Sequence, residues 1–458
     1  MVNRLWCETA IPILWRNPWS YCINYYNKKY LFVVIISYLS KDTKEYLMSQ
    51  GISLSHKSLL FDYLSFCKSI NIHIIKSIIS LGTSSPYIRL SLQREFYRLF
   101  MKKCSGLKYL DMKLFEFEEF YFPEVELPFE SLHELICNTY VDSSYFHGLA
   151  RVSHNIQRIN IVNKLNTKAN LGIARLIEVQ KNLKYFEWKD YSFDFFPRVD
   201  PYKEVLIALG KKANTINHLK LYFKCDDNTL FKVLPKLHNL KSLIINYLRY
   251  SNIEQLERCF YHDLEIFKID HLDLKASSII IENSGGQLKK ILIEHDGYVH
   301  NFNKDSLIYI RKIHENCPLI EYLYLAITPT RKHLNELEKL LEVCQNLKSL
   351  LLIIRYHVEA EEEFFKNEEE ILKILIRSKP TNLREIKFFH EFRCSLKALE
   401  EFFEKWNGHA LSIVTSDYIH GGNDQHFVEL INKYKDNGVL KDFKCETIKS
   451  IMNMGFEV

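Results

Sequence analysis

From residue 107 onward, one arrangement of apolar positions keeps returning: apolar-x-x-apolar-x-apolar. It reads LKYLDM at Leu107, LHELIC at Leu132, IQRINI at Ile156, LKYFEW at Leu183, INHLKL at Ile216 and LKSLII at Leu240. It continues as LEIFKI at Leu264, LKKILI at Leu288, IEYLYL at Ile320, LKSLLL at Leu347, LREIKF at Leu383 and LKDFKC at Leu440. The last two apolar positions are two apart, the period of a strand with one buried face. Three apolar positions agree by chance in many places, so the distance between copies decides. Successive starts lie 25, 24, 27, 33, 24, 24, 24, 32, 27 and 36 residues apart. Asn155, Asn182, Asn239, Asn346 and Asn382 each stand directly before a copy. The interval from Leu383 to Leu440 fits two units, with a worn one near Leu411.

Helical stripes fill the intervals. Ile253, Leu256, Cys259 and Phe260 share one face of a helix, as do Leu334, Leu337, Leu341 and Cys344, and Leu396, Leu399, Phe403 and Trp406. Strand alternating with helix at about 24 to 36 residues per unit is the leucine-rich-repeat period. The fold class expected is α/β, a leucine-rich-repeat solenoid or horseshoe with parallel inner strands and outer helices. No unit of such an array buries its apolar side alone, so the units must stack. The usual repeat places Asn or Cys three residues after the last apolar strand position. Here those places hold Phe115, Tyr140, Lys164, Tyr191 and Lys224, so the loops are expected to close by other means.

Composition narrows the class. Hydrophobic residues make up 47% and charged residues 26% of 458, as in a well-cored globular protein. The charge of +5 comes from 61 basic and 56 acidic residues mixed together, which does not describe a nucleic-acid surface. The 11 cysteines run from Cys7 to Cys445 with no C-x-x-C pair, so buried, reduced thiols in the cytoplasm or nucleus are expected. The longest apolar run, Tyr30 to Leu39, is half the length a bilayer core requires, and no membrane partner is expected.

The opening stretch VNRLWCETAIPILWRNPW carries three of the five tryptophans. Val2, Arg4, Trp6, Ala10, Leu14 and Trp15 stand where the last helix of an F-box has its V-x-R-x-W-x-x-x-A-x-x-x-L-W pattern. The phrase AIPILWRNPW resembles the large fungal F-box families in which repeats follow the box. The resemblance implies a substrate-recognition subunit of an SCF-type ubiquitin ligase. Its box docks on a Skp-type adaptor and its repeats hold the target protein. Leu5, Trp6, Leu14 and Trp15 are then adaptor-facing; a cap sealing the end of the array with Trp6, Trp15 and Trp19 is the other use of these side chains. The L-P-x-E-I-L helices that open an F-box are not in this chain, so a start placed too late or a lost box is expected. The alternative is a repeat scaffold that binds proteins without a ligase. The organisation expected is a partial F-box over 1–20, a helical connector over 21–100 holding one degenerate early repeat, and the array over 101–458. In the connector, Ser40 reads as an N-cap and SLQREFYRLFMKKC as a helix with a basic end.

No phosphate loop, dinucleotide fingerprint, nucleophile elbow or H-E-x-x-H is present, so no catalytic residue, metal or cofactor is expected. The His and acid groups of Glu294–His300 and Asp417–His426 read as polar turns, and the acidic run Glu359–Lys373 as a solvated helix over Phe365, Leu372 and Leu375. Binding is expected on the concave side of the sheet, at the positions between the buried ones. These are Tyr109, Asp111, Tyr185, Glu187, His218, Lys220, Lys268, Asp270, Tyr322, Tyr324, Lys387 and Phe389, a mixture of aromatic and charged groups suited to a protein partner.

Overall fold

The computed structural model describes residues 4–21, 24–52, 59–104, 106–114, 129–163, 170–190, 202–223, 229–246, 253–270, 274–294, 302–355, 361–389, 394–416 and 425–447. The chain forms two compact units, Met1–Ile216 and Asn217–Val458.

The first unit opens with α1 (Arg4–Leu14), α2 (Tyr25–Ile36) and α3 (Lys41–Ser49), followed by β1 (Ser69–Asn71), α4 (Ile72–Gly82) and α5 (Pro86–Lys103). Then come β2 (Tyr109–Asp111), β3 (Glu134–Asn138), α6 (Ser143–Val152), β4 (Arg158–Asn163), α7 (Leu171–Val179), β5 (Tyr185–Asp190) and α8 (Lys203–Gly210). Ser40 caps α3 by accepting from Thr43 N–H, and α5 ends on Lys102 and Lys103, where the helix dipole favours positive charge. The strands run parallel in chain order, β1 to β5. Their register aligns Ile70, Leu110, Leu135, Ile159 and Phe186 in one fully buried row, the row the repeating motif marks. Beside it lies Cys137, Ile161 and Trp188. The outer layer is helical, with α6 against α7 and α7 against α8.

Backbone bonds stitch each repeat to the next through one carbonyl. Lys68 O accepts from Lys108 N at 2.8 Å and Tyr109 N at 3.1 Å, and Lys108 O accepts from His133 N and Glu134 N. His133 O and Gln157 O continue the fork. The turns after the strands close on the last strand residue, not on the position the usual repeat employs. Asn138 donates to Lys113 O at 2.8 Å and accepts from Tyr140 N, Thr139 donates to Asn163 at 2.8 Å, and Asn163 donates to Asp190 at 3.0 Å. Trp188 and Tyr202 also donate to Asp190, yet burial still raises its carboxyl above the ordinary value. Tyr140 is exposed, and Phe115, Lys164, Tyr191 and Lys224 lie outside the described residues. One buried amide ties the helix side together: Gln180 donates to Ser153 O and Leu176 O, each at 2.8 Å, and accepts from Ile156 N at 2.8 Å.

The second unit comprises β6 (His218–Tyr222), α9 (Thr229–Val233), β7 (Ser242–Ile245), α10 (Ile253–Leu256), β8 (Ile266–Asp270), α11 (Leu274–Glu282), β9 (Lys290–Glu294) and α12 (Phe302–Asn316). It continues with β10 (Tyr322–Ile327), α13 (Arg331–Val343), β11 (Ser349–Ile354), α14 (Glu361–Ser378), β12 (Glu385–Phe389), α15 (Leu396–Lys405), β13 (Leu411–Thr415), α16 (Gln425–Asp436) and β14 (Leu440–Cys445). All nine strands are parallel neighbours in chain order, and β13 supplies the worn unit at Leu411. Leu219, Leu243, Phe267, Ile291, Leu323, Leu350, Ile386 and Ile413 form the buried row. Helices stack in chain order from α11 through α16, and with the parallel strand order and the buried rows both units are α/β solenoids of leucine-rich-repeat type. One expected helix falls short. The stripe from Ile253 to Phe260 stops after a single turn at Leu256, and although Cys259 is buried, Phe260 is exposed. The acidic run becomes α14, with Leu372 and Leu375 buried beneath it; the side chain of Phe365 lies outside the described residues.

The joint between α12 and α13 contains a buried histidine. His333 Nδ1 lies 2.8 Å from Thr330 Oγ1, and its Nε2 lies 2.8 Å from Ser306 Oγ. Burial holds its pKa below the ordinary value, so the folded state favours neutral imidazole. The unfolded chain takes up the proton first as pH falls. Stability is therefore complete above about 6.5, the unfolded value, and declines below it towards the lower folded value. Urea unfolding monitored between pH 7.5 and 5 should show this decline, and His333→Phe should flatten it. In the first unit, Gln180→Leu leaves Ile156 N and Ser153 O without their amide partner. A loss of about 1–3 kcal/mol per orphaned group is expected in urea unfolding.

Candidate partner-binding surfaces

Residues that alternate with the buried row leave the sheet on the side away from the helices. In the first unit these are Tyr109 and Asp111 on β2, Glu134 and Ile136 on β3, Arg158 and Asn160 on β4, and Tyr185 and Glu187 on β5. The register sets Glu134 between Tyr109 and Arg158, and Arg158 beside Tyr185. Arg158 lies 3.3 Å from a Glu134 oxygen and 3.7 Å from the centre of the Tyr185 ring, the stacked geometry guanidinium favours. Tyr185 donates to Glu187 at 2.5 Å, and Asn71 donates to Asp111 at 3.1 Å. Burial raises the carboxyls of Asp111 and Glu134, and burial with the Asp111 charge raises the Tyr109 phenol. Tyr109, Asp111, Tyr185 and Glu187 thus share one connected polar patch. Glu134 and Arg158 belong to it and were overlooked in the sequence, although they hold the same alternate positions of the copies at Leu132 and Ile156.

The second unit differs from expectation. His218 is half-buried, with Nδ1 2.8 Å from Ser242 Oγ, and Lys268 and Tyr322 are half-buried, the latter with Lys290 Nζ 5.2 Å from its ring centre. Tyr324, however, is 3% exposed and Lys387 6%, and Lys220 and Phe389 are buried as well. Tyr185 in the first unit is also buried. These five positions do not lie open, as the alternation alone implies. Parallel strands stand about 4.8 Å apart, so bulky side chains in one row cover each other. Leu351, flanked in register by Tyr324 and Lys387, has no exposed surface. Lys387 Nζ lies 3.7 Å from a Glu385 carboxylate oxygen. Asp270 closes β8, and its side chain lies outside the described residues.

The N-terminal helix presents the opposite case. α1 buries no residue: Leu5 is 70% exposed and Trp6 67%, and Ile13 and Leu14 are exposed too. Trp15 is half-buried, its ring 4.8 Å from that of Tyr63. Trp19 is buried, donates to Ser69 O at 2.7 Å and meets Phe100 edge-on at 5.4 Å. The tryptophans therefore divide. Trp19 seals the core beside β1, Trp15 leans on it, and Trp6 faces solvent.

Among the described residues, no group of three or more His, Cys, Asp and Glu side chains is placed to hold a metal ion, and no helix is long and apolar enough to cross a membrane. Most of Glu294–His300 and Asp417–His426 lies outside the described residues. No family profile and no curated protein matches the chain. Among solved structures, an internalin (inlF) of Listeria monocytogenes is similar at 12% identity and a TM-score of 0.35, over 74% of this chain and 92% of that one. The solenoid assignment rests on strand register and buried rows, not on that likeness.

The burial difference along β10 is testable. Tyr324→Ala should cost about 3 kcal/mol in urea unfolding, as for other buried aromatic truncations, whereas Tyr322→Ala should cost less than about 1 kcal/mol.

Proposed function

We propose that the protein is a protein-recognition subunit of an SCF-type ubiquitin ligase, with α1 docking on a Skp-type adaptor and the helix-free side of the repeats holding the target. The observation that carries the adaptor reading is α1 itself. A helix that buries none of its side chains leaves Leu5, Trp6, Ile13 and Leu14 exposed, and apolar side chains so presented favour burial against a partner. This is the segment whose Arg4, Trp6, Ala10, Leu14 and Trp15 resemble the end of an F-box. A target-holding role for the repeats is supported by the patch around Arg158, where aromatic and charged groups are already held in place by one another. The unpaired thiols of the nine described cysteines, seven of them buried, support a reducing cytoplasmic or nuclear setting. A repeat scaffold that binds a protein without joining a ligase is the reading left if adaptor binding is not found.

Purified chain and purified Skp-type adaptor should associate in calorimetry. The double variant Leu5→Ala with Trp6→Ala should melt like wild type and bind more weakly by at least about 2 kcal/mol. Wild-type chain that ignores the adaptor would remove the ligase reading.

A further inference from the structure

The strands that open the second unit, β6 to β9, carry their charge unevenly. On the helix-free side the register sets Lys220, Ile244, Lys268 and Leu292 beside one another in one row. The row before it holds His218, Ser242, Ile266, Lys290 and, on β10, Tyr322. Directly before β7, β8 and β9 stand Lys241, Glu265 and Lys289, joined by the backbone fork. Lys241 O accepts from Glu265 N and Ile266 N, and Glu265 O accepts from Lys289 N and Lys290 N. Among the described side chains of these strands and of the residues directly before them, Lys220, Lys241, Lys268, Lys289 and Lys290 stand with a single carboxylate, Glu265. Asp270 and Glu294 close the far ends of β8 and β9, and their side chains lie outside the described residues.

Glu265 shows what this place favours. It accepts from Lys289 Nζ at 2.8 Å. That bond, followed by the charges of Lys289 and Lys241, holds its carboxyl below the ordinary value although burial opposes the shift. Lys220 is buried, but Lys241 is exposed, and Lys268, Lys290, Ile266 and Tyr322 are half-buried and reachable from the helix-free side.

We infer that the entry ends of β6 to β9 seat an acidic segment of the target protein, with two or more Asp or Glu side chains set around an apolar one. The inference rests on the target-holding role proposed for the repeats, and not on what α1 binds. Charge complementarity is the argument: one resident carboxylate among five lysines leaves positive potential that an anionic segment relieves. The spacing of the cations suits an extended chain. Lys220 and Lys268 lie two strands apart, as do Lys241 and Lys289, which is about 9.6 Å at about 4.8 Å per strand. An extended segment crossing the strands advances about 10 Å in three residues. Carboxylates three residues apart therefore meet successive lysines. Ile266 and the Tyr322 ring, which has Lys290 Nζ 5.2 Å from its centre, offer contact to an apolar side chain between them. Apolar Ile244, Ile266 and Leu292 interrupt the cations, an arrangement that suits the mixed side chains of a protein better than a continuous phosphate chain.

The test selects short random peptides displayed on phage against the immobilised full chain, after depletion on the variant Lys241→Gln with Lys268→Gln and Lys290→Gln. Depletion removes peptides that bind α1 or any other surface the two proteins share. The survivors should be rich in Asp and Glu, with pairs three residues apart over-represented. In fluorescence anisotropy a synthetic survivor should bind the triple variant at least about tenfold more weakly than wild type. Its binding should weaken as salt rises and disappear when its acids become Asn and Gln. A control variant, Lys332→Gln with Lys397→Gln and Lys435→Gln, removes the same charge from exposed positions on α13, α15 and α16 and should bind like wild type. Circular dichroism should report one fold for all three proteins. No survivors, survivors without acidic residues, or an equal loss in the control variant overturns the inference. So does an oligouridylate that binds more tightly than any survivor and is lost in the triple variant. The selection uses no adaptor, so failure of adaptor docking leaves its outcome unchanged.

Discussion

Everything in either unit depends on a row of side chains that no single repeat can bury. Leu110 is covered because Ile70 and Leu135 stand on either side of it and helices lie across it, and Leu350 depends on Leu323 and Ile386 in the same way. Each repeat leans on its neighbours, and the backbone fork repeats the dependence in polar form. One carbonyl per repeat accepts from two successive N–H groups of the next. A short strand of three residues such as β2 persists because its register is held by both kinds of contact at once.

The N-terminal end shows what such a row needs where it stops. Trp19 brings a large ring over Phe100 and sends its N–H to the Ser69 carbonyl, so apolar cover and a backbone bond arrive in one side chain. This combination is available to few residues, since an indole has both a broad face and a single donor. The same economy appears in Gln180, whose amide satisfies three backbone groups in a place without exposed surface. In both places the buried polar atoms are spent on backbone groups.

How much of this was legible depended on whether period or packing decided it. Strand positions from Leu107 to Leu440 followed from spacing alone, because a buried row demands an apolar residue at fixed intervals whatever its identity. The Asn–Asn–Asp closure of the turns was not legible. Asn138, Asn163 and Asp190 sit at the strand ends, three polar residues with nothing in one sequence to tie them together. The helix after Ser251 was over-read, since Phe260 matched the apolar stripe in type while the chain had already left the helix. The site was half legible. Alternation placed Tyr109, Asp111, Tyr185 and Glu187 on one side of the sheet, as the register does, but alternation says nothing about how tightly a side is filled. Tyr324, Lys387 and Phe389 were read as open because cross-strand crowding depends on which residues the register makes neighbours.

That crowding has a consequence for recognition. Side chains such as Tyr324, Leu351 and Lys387 hold few alternative rotamers, because each is walled in by the next. A partner held on this side of the sheet, as proposed above, would meet a surface backed by side chains whose conformational freedom was surrendered when the chain folded. Little ordering is left for the encounter to demand. On the proposed function, selectivity would come from fit to a fixed relief, with the partner bringing the shape instead of finding it there by adjustment.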